Sequence, residues 1–214
     1  MPNQGEMMRY LKILGLMTVA AASLAAFAGS ASATTLTSPT GTTYTGKITA
    51  TSVNSSLDGA FTTVSCKHSH VEGPISHHGT ATTVDGIIET LSFSECNFPV
   101  TVLKSGSLEL HAIKPNKEPH ETCEDTPSTP DNCWGTLTST GAEVTIATSV
   151  GSCVFTTNGT SVGTITGTAQ TGGSGVLDIK GTIPRTGGNF LCGSSGTWTG
   201  SYTVTTPGTV WIDD

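Results

Sequence analysis

The chain has 214 residues and a formal net charge of −7, and Lys and Arg together contribute only 9 residues. An acidic surface repels phosphate backbones and anionic membranes, so the charge argues against nucleic acid as a partner. The sequence is rich in Ser, Thr and Gly, and only 12% of its residues are charged. Such a composition occurs in disordered chains, so the spacing of the apolar residues has to decide between order and disorder.

The first segment of the chain, residues 1–33, has the three parts of a secretory signal peptide. Arg9 and Lys12 precede an apolar run over residues 13–28, and Ala31-Ser32-Ala33 forms a small-residue cleavage site. The run is shorter than the ~20 residues that a membrane-spanning helix needs. The sequence therefore predicts export and no stable membrane anchor.

Beyond this segment, apolar residues recur at every second position. Leu108, Leu110 and Ala112, for example, alternate with Glu109 and His111. Period-two alternation is typical of half-buried strands, and β-branched Thr suits their outer face. In chain order the pattern predicts strands over Thr42–Ser52, Ala60–Val71, Thr80–Thr83, Gly86–Cys96, Val100–Leu103, Ser107–Ile113, Gly135–Ser139, Ala142–Ser149, Cys153–Thr157, Ser161–Thr166, Gly175–Ile183 and Gly196–Thr205.

Turn residues separate these segments, and Asp58-Gly59 and Asn158-Gly159 favour hairpins. The segment Lys114–Cys133 carries four prolines and is predicted to leave the sheet. Many short strands with frequent turns predict an all-β fold, an antiparallel β-sandwich or barrel. Residues 34–214 are expected to form a single secreted β domain; cleavage of the signal removes one acidic and two basic residues, which changes the net charge from −7 to −8.

Six cysteines follow the signal segment, and in an exported protein an even number predicts disulfides. Fifteen connectivities are possible, of which we favour the sequential one. It pairs the cysteines as Cys66–Cys96, Cys123–Cys133 and Cys153–Cys192.

Four histidines form a candidate metal site. Alternation along a strand places Cys66, His68 and His70 on one face, and His77 and His78 follow soon after. Imidazoles two residues apart on a strand can share zinc or copper. The alternative is a polar strand with solvated histidines, and because nothing obvious completes the site we expect no cofactor.

Two acidic positions are candidates for catalysis. Glu109 and His111 share a strand face and can form an acid–base couple, or they can belong to a solvated outer face. Glu89 falls in an apolar row with Ile87 and Leu91. A carboxyl group in such a row can act as an acid, whereas a bulge or a sheet edge would simply expose it.

Tryptophan offers a candidate ligand-binding surface. Trp211 has the parity opposite to Val210 and Ile212, which predicts an exposed ring able to stack on a sugar. Trp198 shares its parity with Tyr202 and is predicted to lie in the core.

Several segments, including 190–204, 36–41 and 135–144, resemble a group of uncharacterised secreted bacterial all-β proteins. The resemblance implies export and an all-β fold, and it implies no activity. The sequence thus favours a non-enzymatic extracellular domain that binds a ligand or associates with the cell surface, and the partner it suggests is a cell-surface polysaccharide or protein. The alternatives are a secreted hydrolase with a carboxylate pair, and a metal-binding protein that uses the histidines.

Overall fold

The computed structural model describes residues 34–37, 42–60, 62–77, 82–113, 134–149, 151–166 and 174–213. Its strands are β1 (Thr35–Thr37), β2 (Lys47–Gly59), β3 (Thr63–His77), β4 (Val84–Ile87), β5 (Thr90–Cys96), β6 (Val100–Lys104), β7 (Ser107–Ile113), β8 (Trp134–Thr140), β9 (Glu143–Thr148), β10 (Gly151–Thr156), β11 (Thr160–Thr166), β12 (Val176–Gly188), β13 (Ser195–Thr206) and β14 (Trp211–Asp213). A short 3-10 helix occupies Phe190–Cys192. Within the described ranges no helix is long and apolar enough to cross a membrane.

Eight of these strands form a closed antiparallel barrel. Its order is β2, β3, β4, β7, β8, β11, β12 and β13, and the pairing of β13 with β2 completes the ring. The prediction of an antiparallel all-β fold is confirmed, and of its two alternatives the structure is the barrel. Closure leaves no free edge among these strands, which removes the usual site of edge-to-edge association.

The long strands β3 and β12 extend beyond this barrel, and the four short strands β5, β6, β9 and β10 form a second region there. Along β3, residues Ile75–His77 pair with β4 and residues Cys66–Glu72 pair with β5. Along β12, residues Val176–Ile179 pair with β11, and Arg185–Gly188 pair with β10. With β9 and β6 they form an open sheet in the order β6, β9, β10, β12, β13, β2, β3 and β5.

The chain passes between the closed barrel and the open sheet at four connections, which we call the seam: residues 88–89, 105–106, 141–142 and 157–159. The amide of Ile88 donates to the carbonyl of Gly106 at 3.0 Å, and that of Thr157 to Ala142 at 2.9 Å. Gly106 has a φ of +75°, and a side chain there would collide with the backbone of Ala142. The seam is therefore a continuous, hydrogen-bonded row of turns that needs glycine at its centre.

Each region has its own hydrophobic core. Buried residues of the closed barrel are mainly aliphatic, such as Leu110, Leu177 and Val204. The core of the open sheet is built around Phe155 and two disulfides, with Phe93 and Trp198 packed against it. The rings of that last pair are 4.7 Å apart.

A two-stranded ribbon of β1 and β14 packs on the closed barrel. Leu36 pairs with Ile212 across the ribbon, and both side chains join the barrel core. The Thr34 hydroxyl donates to the carbonyl of Thr82 and accepts from the amide of Ala112. The chain ends of the described domain are thus fixed to the barrel.

Several predicted strand boundaries differ from the structure. The predicted strand Gly86–Cys96 is broken at residues 88–89, because the chain crosses the seam there. The turn at Asn158-Gly159 is present, but it joins β10 to β11, which do not pair. In the predicted strand Thr80–Thr83, only the last two residues are described, and they are not in a strand. Ribbon strands β1 and β14 were not predicted, and Lys114–Cys133 lies outside the described residues.

Candidate functional site

The predicted histidine site is divided by the geometry of β3. Cys66 is buried and bonded to Cys96, and the next buried residue is Ser69. His68 and His70 consequently lie on the outer face. The prediction that Cys66 shares a face with them is wrong, and its sulfur is engaged in a disulfide.

The cause is an irregularity that runs across three strands. Asn54 of β2 and Glu95 of β5 flank Lys67 of β3, and their φ angles of 64° and 51° are left-handed. In each of these strands the alternation of buried and exposed side chains shifts by one residue at this position. Ser52 and Ser55 of β2 are therefore both buried, although they are three residues apart. Backbone of this kind re-aims the side chains that follow it.

The backbone of His77 lies far from His68 and His70. β3 is continuous from His70 to His77, and a rise of about 3.3 Å per residue separates their backbones by roughly 20 Å. His68 and His70 lie near Glu95 and Glu72, at 3.5 and 3.7 Å. His78 and the side chain of His77 lie outside the described part. Among the residues that are described, no three metal-ligating side chains come together.

The described residues contain two disulfides, both in the region of the open sheet. Cys66 pairs with Cys96 and Cys153 pairs with Cys192, as sequential pairing predicts. The remaining two cysteines, Cys123 and Cys133, lie outside the described residues. In the described ranges no cysteine is free, which fits a protein of an oxidising, extracellular compartment.

Glu89 is on the surface and not in an apolar row. Lys47 reaches both Glu89, at 2.5 Å, and Glu72, at 3.4 Å. Hydrogen bonding to Glu89 is the main cause that raises the pKa of Lys47. The structure therefore brings two carboxylates together, but a lysine ammonium lies between them.

Glu109 and His111 occupy the solvated outer face of β7. His111 Nδ1 is 2.8 Å from the carbonyl oxygen of Thr82. Their neighbours Leu110 and Ala112 are buried, as the alternation predicts. Trp198 is partly buried in the core of the open sheet, and Trp211 lies in β14 with its side chain outside the description.

The interior contains a cavity of 110 Å³ at the level of the seam. Its wall includes Val162 and Leu177 from the closed barrel, Phe93 and Phe155 from the open sheet, and Leu108 beside the seam. Members of both cores therefore face one space. The lining is almost entirely hydrocarbon and includes no charged side chain.

Few polar groups reach this wall, and two of them satisfy each other. The hydroxyls of Ser139 and Thr157 are 3.0 Å apart, and Thr157 also accepts from the amide of Ala142. A second cavity of 70 Å³ lies toward the ribbon, and Val71, Ile88, Leu108 and Leu177 line both cavities. The interior thus holds two neighbouring, mainly apolar cavities.

A group of buried hydroxyls lies on β2 and β3. Ser52, Ser55 and Ser69 are at most 3% exposed, and none of their oxygens has a hydrogen-bond partner in the described structure. The Tyr202 ring lines the cavity, and its hydroxyl lies near two of these serines, Ser55 and Ser69.

The Tyr202 hydroxyl is held in its neutral form by its surroundings. Burial raises the pKa of Tyr202 above its ordinary 10.0, and the nearby Ser69, Trp198 and Ser55 act in the opposite direction. Ser55 and Ser69 come close enough to influence this pKa without the geometry of a hydrogen bond. The group therefore consists of four uncharged hydroxyls.

The cavity has no local signal in the sequence, since its wall is drawn from strands that are distant along the chain. Comparison of the chain with protein-family models, curated proteins and solved structures found no match. The function is therefore argued from the geometry.

Proposed function

We propose that this protein is an exported, non-enzymatic binding domain that holds a small apolar molecule in the seam cavity. The observation that carries the proposal is the 110 Å³ space lined by hydrocarbon side chains of both cores. Apolar cavities of comparable size stay dry and take up molecules such as benzene. An eight-stranded barrel has an interior wide enough for one small ligand.

Export is supported by two independent features. Residues 1–33 have the pattern of a secretory signal, and the disulfides suit an oxidising compartment. A cell-surface polysaccharide or protein bound through Trp211 stays a prediction.

The two alternative functions have less support. A hydrolase needs one carboxyl group to give up a proton and another to act beside it, but Lys47 bridges Glu72 and Glu89 at the exposed surface. A metal site would have to be built on His68 and His70, which are each near one carboxylate.

Titration with toluene tests the proposal, since toluene is apolar and close to benzene in size. We expect saturable binding that shifts the indole resonance of Trp198, which lines the cavity. Leu108→Phe should abolish it, because the larger ring fills the space that both cavities share.

The matched control is Leu103→Phe, which makes the same substitution at a side chain that is 53% exposed. It should bind toluene like the wild type. Absence of saturable binding to the folded wild-type protein, or equal binding by Leu108→Phe, would overturn the proposal.

A further inference from the structure

The outer face of β3 presents two histidines side by side. Ser69 is 3% exposed and faces the interior, so His68 and His70 on either side of it both face the solvent. Their side chains are 57% and 33% exposed, which makes both imidazoles accessible to an ion. Two residues apart on a strand, their backbones are separated by about 6.6 Å, and imidazoles at this spacing can share one metal ion.

The surface around the two histidines is built from short side chains. Their cross-strand neighbours on β2 and β5 are Thr51, Val53, Ser92 and Ser94. Both histidines and these four neighbours border one surface cavity of 320 Å³. Short neighbours on both sides therefore leave room beside the imidazoles for an ion with its water ligands.

Two carboxylates flank the pair of histidines. Glu95 Oε1 is 3.5 Å from Nε2 of His68, and Glu72 Oε2 is 3.7 Å from Nε2 of His70. Each of these carboxylates also contacts a lysine ammonium, which balances its charge. The two imidazole nitrogens are therefore the ligands that remain available, and water has to complete the coordination of any bound ion.

Two imidazoles with water suit copper(II) better than zinc. Structural zinc sites have four protein ligands and catalytic zinc sites have three. Within the described ranges no three ligating side chains converge. Copper(II) accepts nitrogen and oxygen ligands in a tetragonal arrangement, and a given set of ligands binds it more tightly than the other divalent ions of the first transition series.

We propose that His68 and His70 chelate one copper(II) ion on the outer face of β3, with water completing its coordination. The left-handed residues Asn54 and Glu95 belong to the irregularity that places this pair outside and Cys66 inside. None of these residues lines the seam cavity, so the inference stands independently of the proposed function.

Titration of the whole protein with copper(II) tests this inference, with calorimetry for the stoichiometry and electron paramagnetic resonance for the ligands. His68→Ala/His70→Ala removes the pair, and His77→Ala/His78→Ala is the matched control because it removes the same number of imidazoles. His68→Gln/His70→Gln is a second test variant that keeps polar side chains at the surface.

The wild type should bind copper(II) with nitrogen hyperfine structure from two imidazoles. Both substitutions of the His68 and His70 pair should remove this signal and one equivalent of copper, whereas the control should keep them. Substitution of His68 alone should weaken binding at this site by about tenfold or more, since the second imidazole no longer acts as an intramolecular ligand. Equal stoichiometry and spectra in the wild type and His68→Ala/His70→Ala, or loss of the signal in the control alone, would overturn the inference.

Discussion

The closed barrel and the open sheet share the same four long strands but differ in how their walls are paired and in how their cores are packed. In the barrel, β4, β7, β8 and β11 complete a ring of antiparallel pairs, and aliphatic side chains fill it. In the sheet, β5 and β6 each pair on one side only, and the core combines aliphatic side chains with aromatic rings and two disulfides.

Both described disulfides lie in the open sheet. Cys66–Cys96 ties the edge strand β5 to β3, and Cys153–Cys192 ties β10 to the 3-10 helix. The two described disulfides therefore lie where backbone pairing does not close the wall. The cavity lies where the closed barrel and the open sheet meet.

The largest expected effect comes from removing a disulfide of the open sheet. Cys66→Ala/Cys96→Ala should lower the free energy of unfolding by about 3 kcal/mol, because a loop of 30 residues is released in the unfolded chain. Hydrogen exchange should accelerate in β5 much more than in β4. Equal acceleration in the two strands would contradict the division into two regions.

Closure of the barrel can be tested at a glycine. Gly163 of β11 lies against the backbone of Asp178 and Ile179 on β12, so a side chain would force these strands apart. Gly163→Ala should cost about 2 kcal/mol in urea unfolding. Gly86→Ala, where the nearest atom is 3.8 Å away, is the matched control and should cost less than half as much.

A smaller and opposite effect is expected at the boundary between the regions. Ser69→Ala should raise the free energy of unfolding of the ligand-free protein by about 1 kcal/mol, since it removes a buried hydroxyl that has no partner. Ser92→Ala, at the surface of the neighbouring strand, should stay within about 0.5 kcal/mol of the wild type. Destabilisation by Ser69→Ala would show that its hydroxyl already has a partner in the folded protein.

The smallest effect is a pH dependence confined to the alkaline range. The pKa of Tyr202 is raised above 10.0 in the folded protein. The contribution of its neutral hydroxyl to the free energy of unfolding is therefore complete below pH 10 and is lost as the pH rises through the folded pKa. Tyr202→Phe should therefore lose less stability than the wild type between pH 9 and pH 11. The pKa of Lys47 is raised in the wild type and in the variant alike. Its titration therefore cancels when the pH dependences of the two proteins are compared.

Some parts of this structure could be predicted from local pattern. β7 was predicted with its observed bounds, Ser107–Ile113, because its alternation is uninterrupted. On β3, however, alternation alone put Cys66 and His68 on one face, since the left-handed residues that shift the pattern lie on neighbouring strands.

Long-range closure accounts for the rest. No feature near Ile88 and Glu89 reveals that the chain leaves one region and enters the other there, because the seam is made by hydrogen bonds such as that from Ile88 to Gly106. The cavity follows from the same closure. Sequence pattern therefore predicted the fold class and the two described disulfides, but not the candidate site.

The most direct test of the central claim is a crystal structure of the protein under xenon pressure, since xenon occupies apolar cavities. The account predicts a xenon atom at the level of the seam, in contact with Phe155, Val162 and Leu177. Side chains packed across that space, with no xenon bound between the two cores, would contradict it.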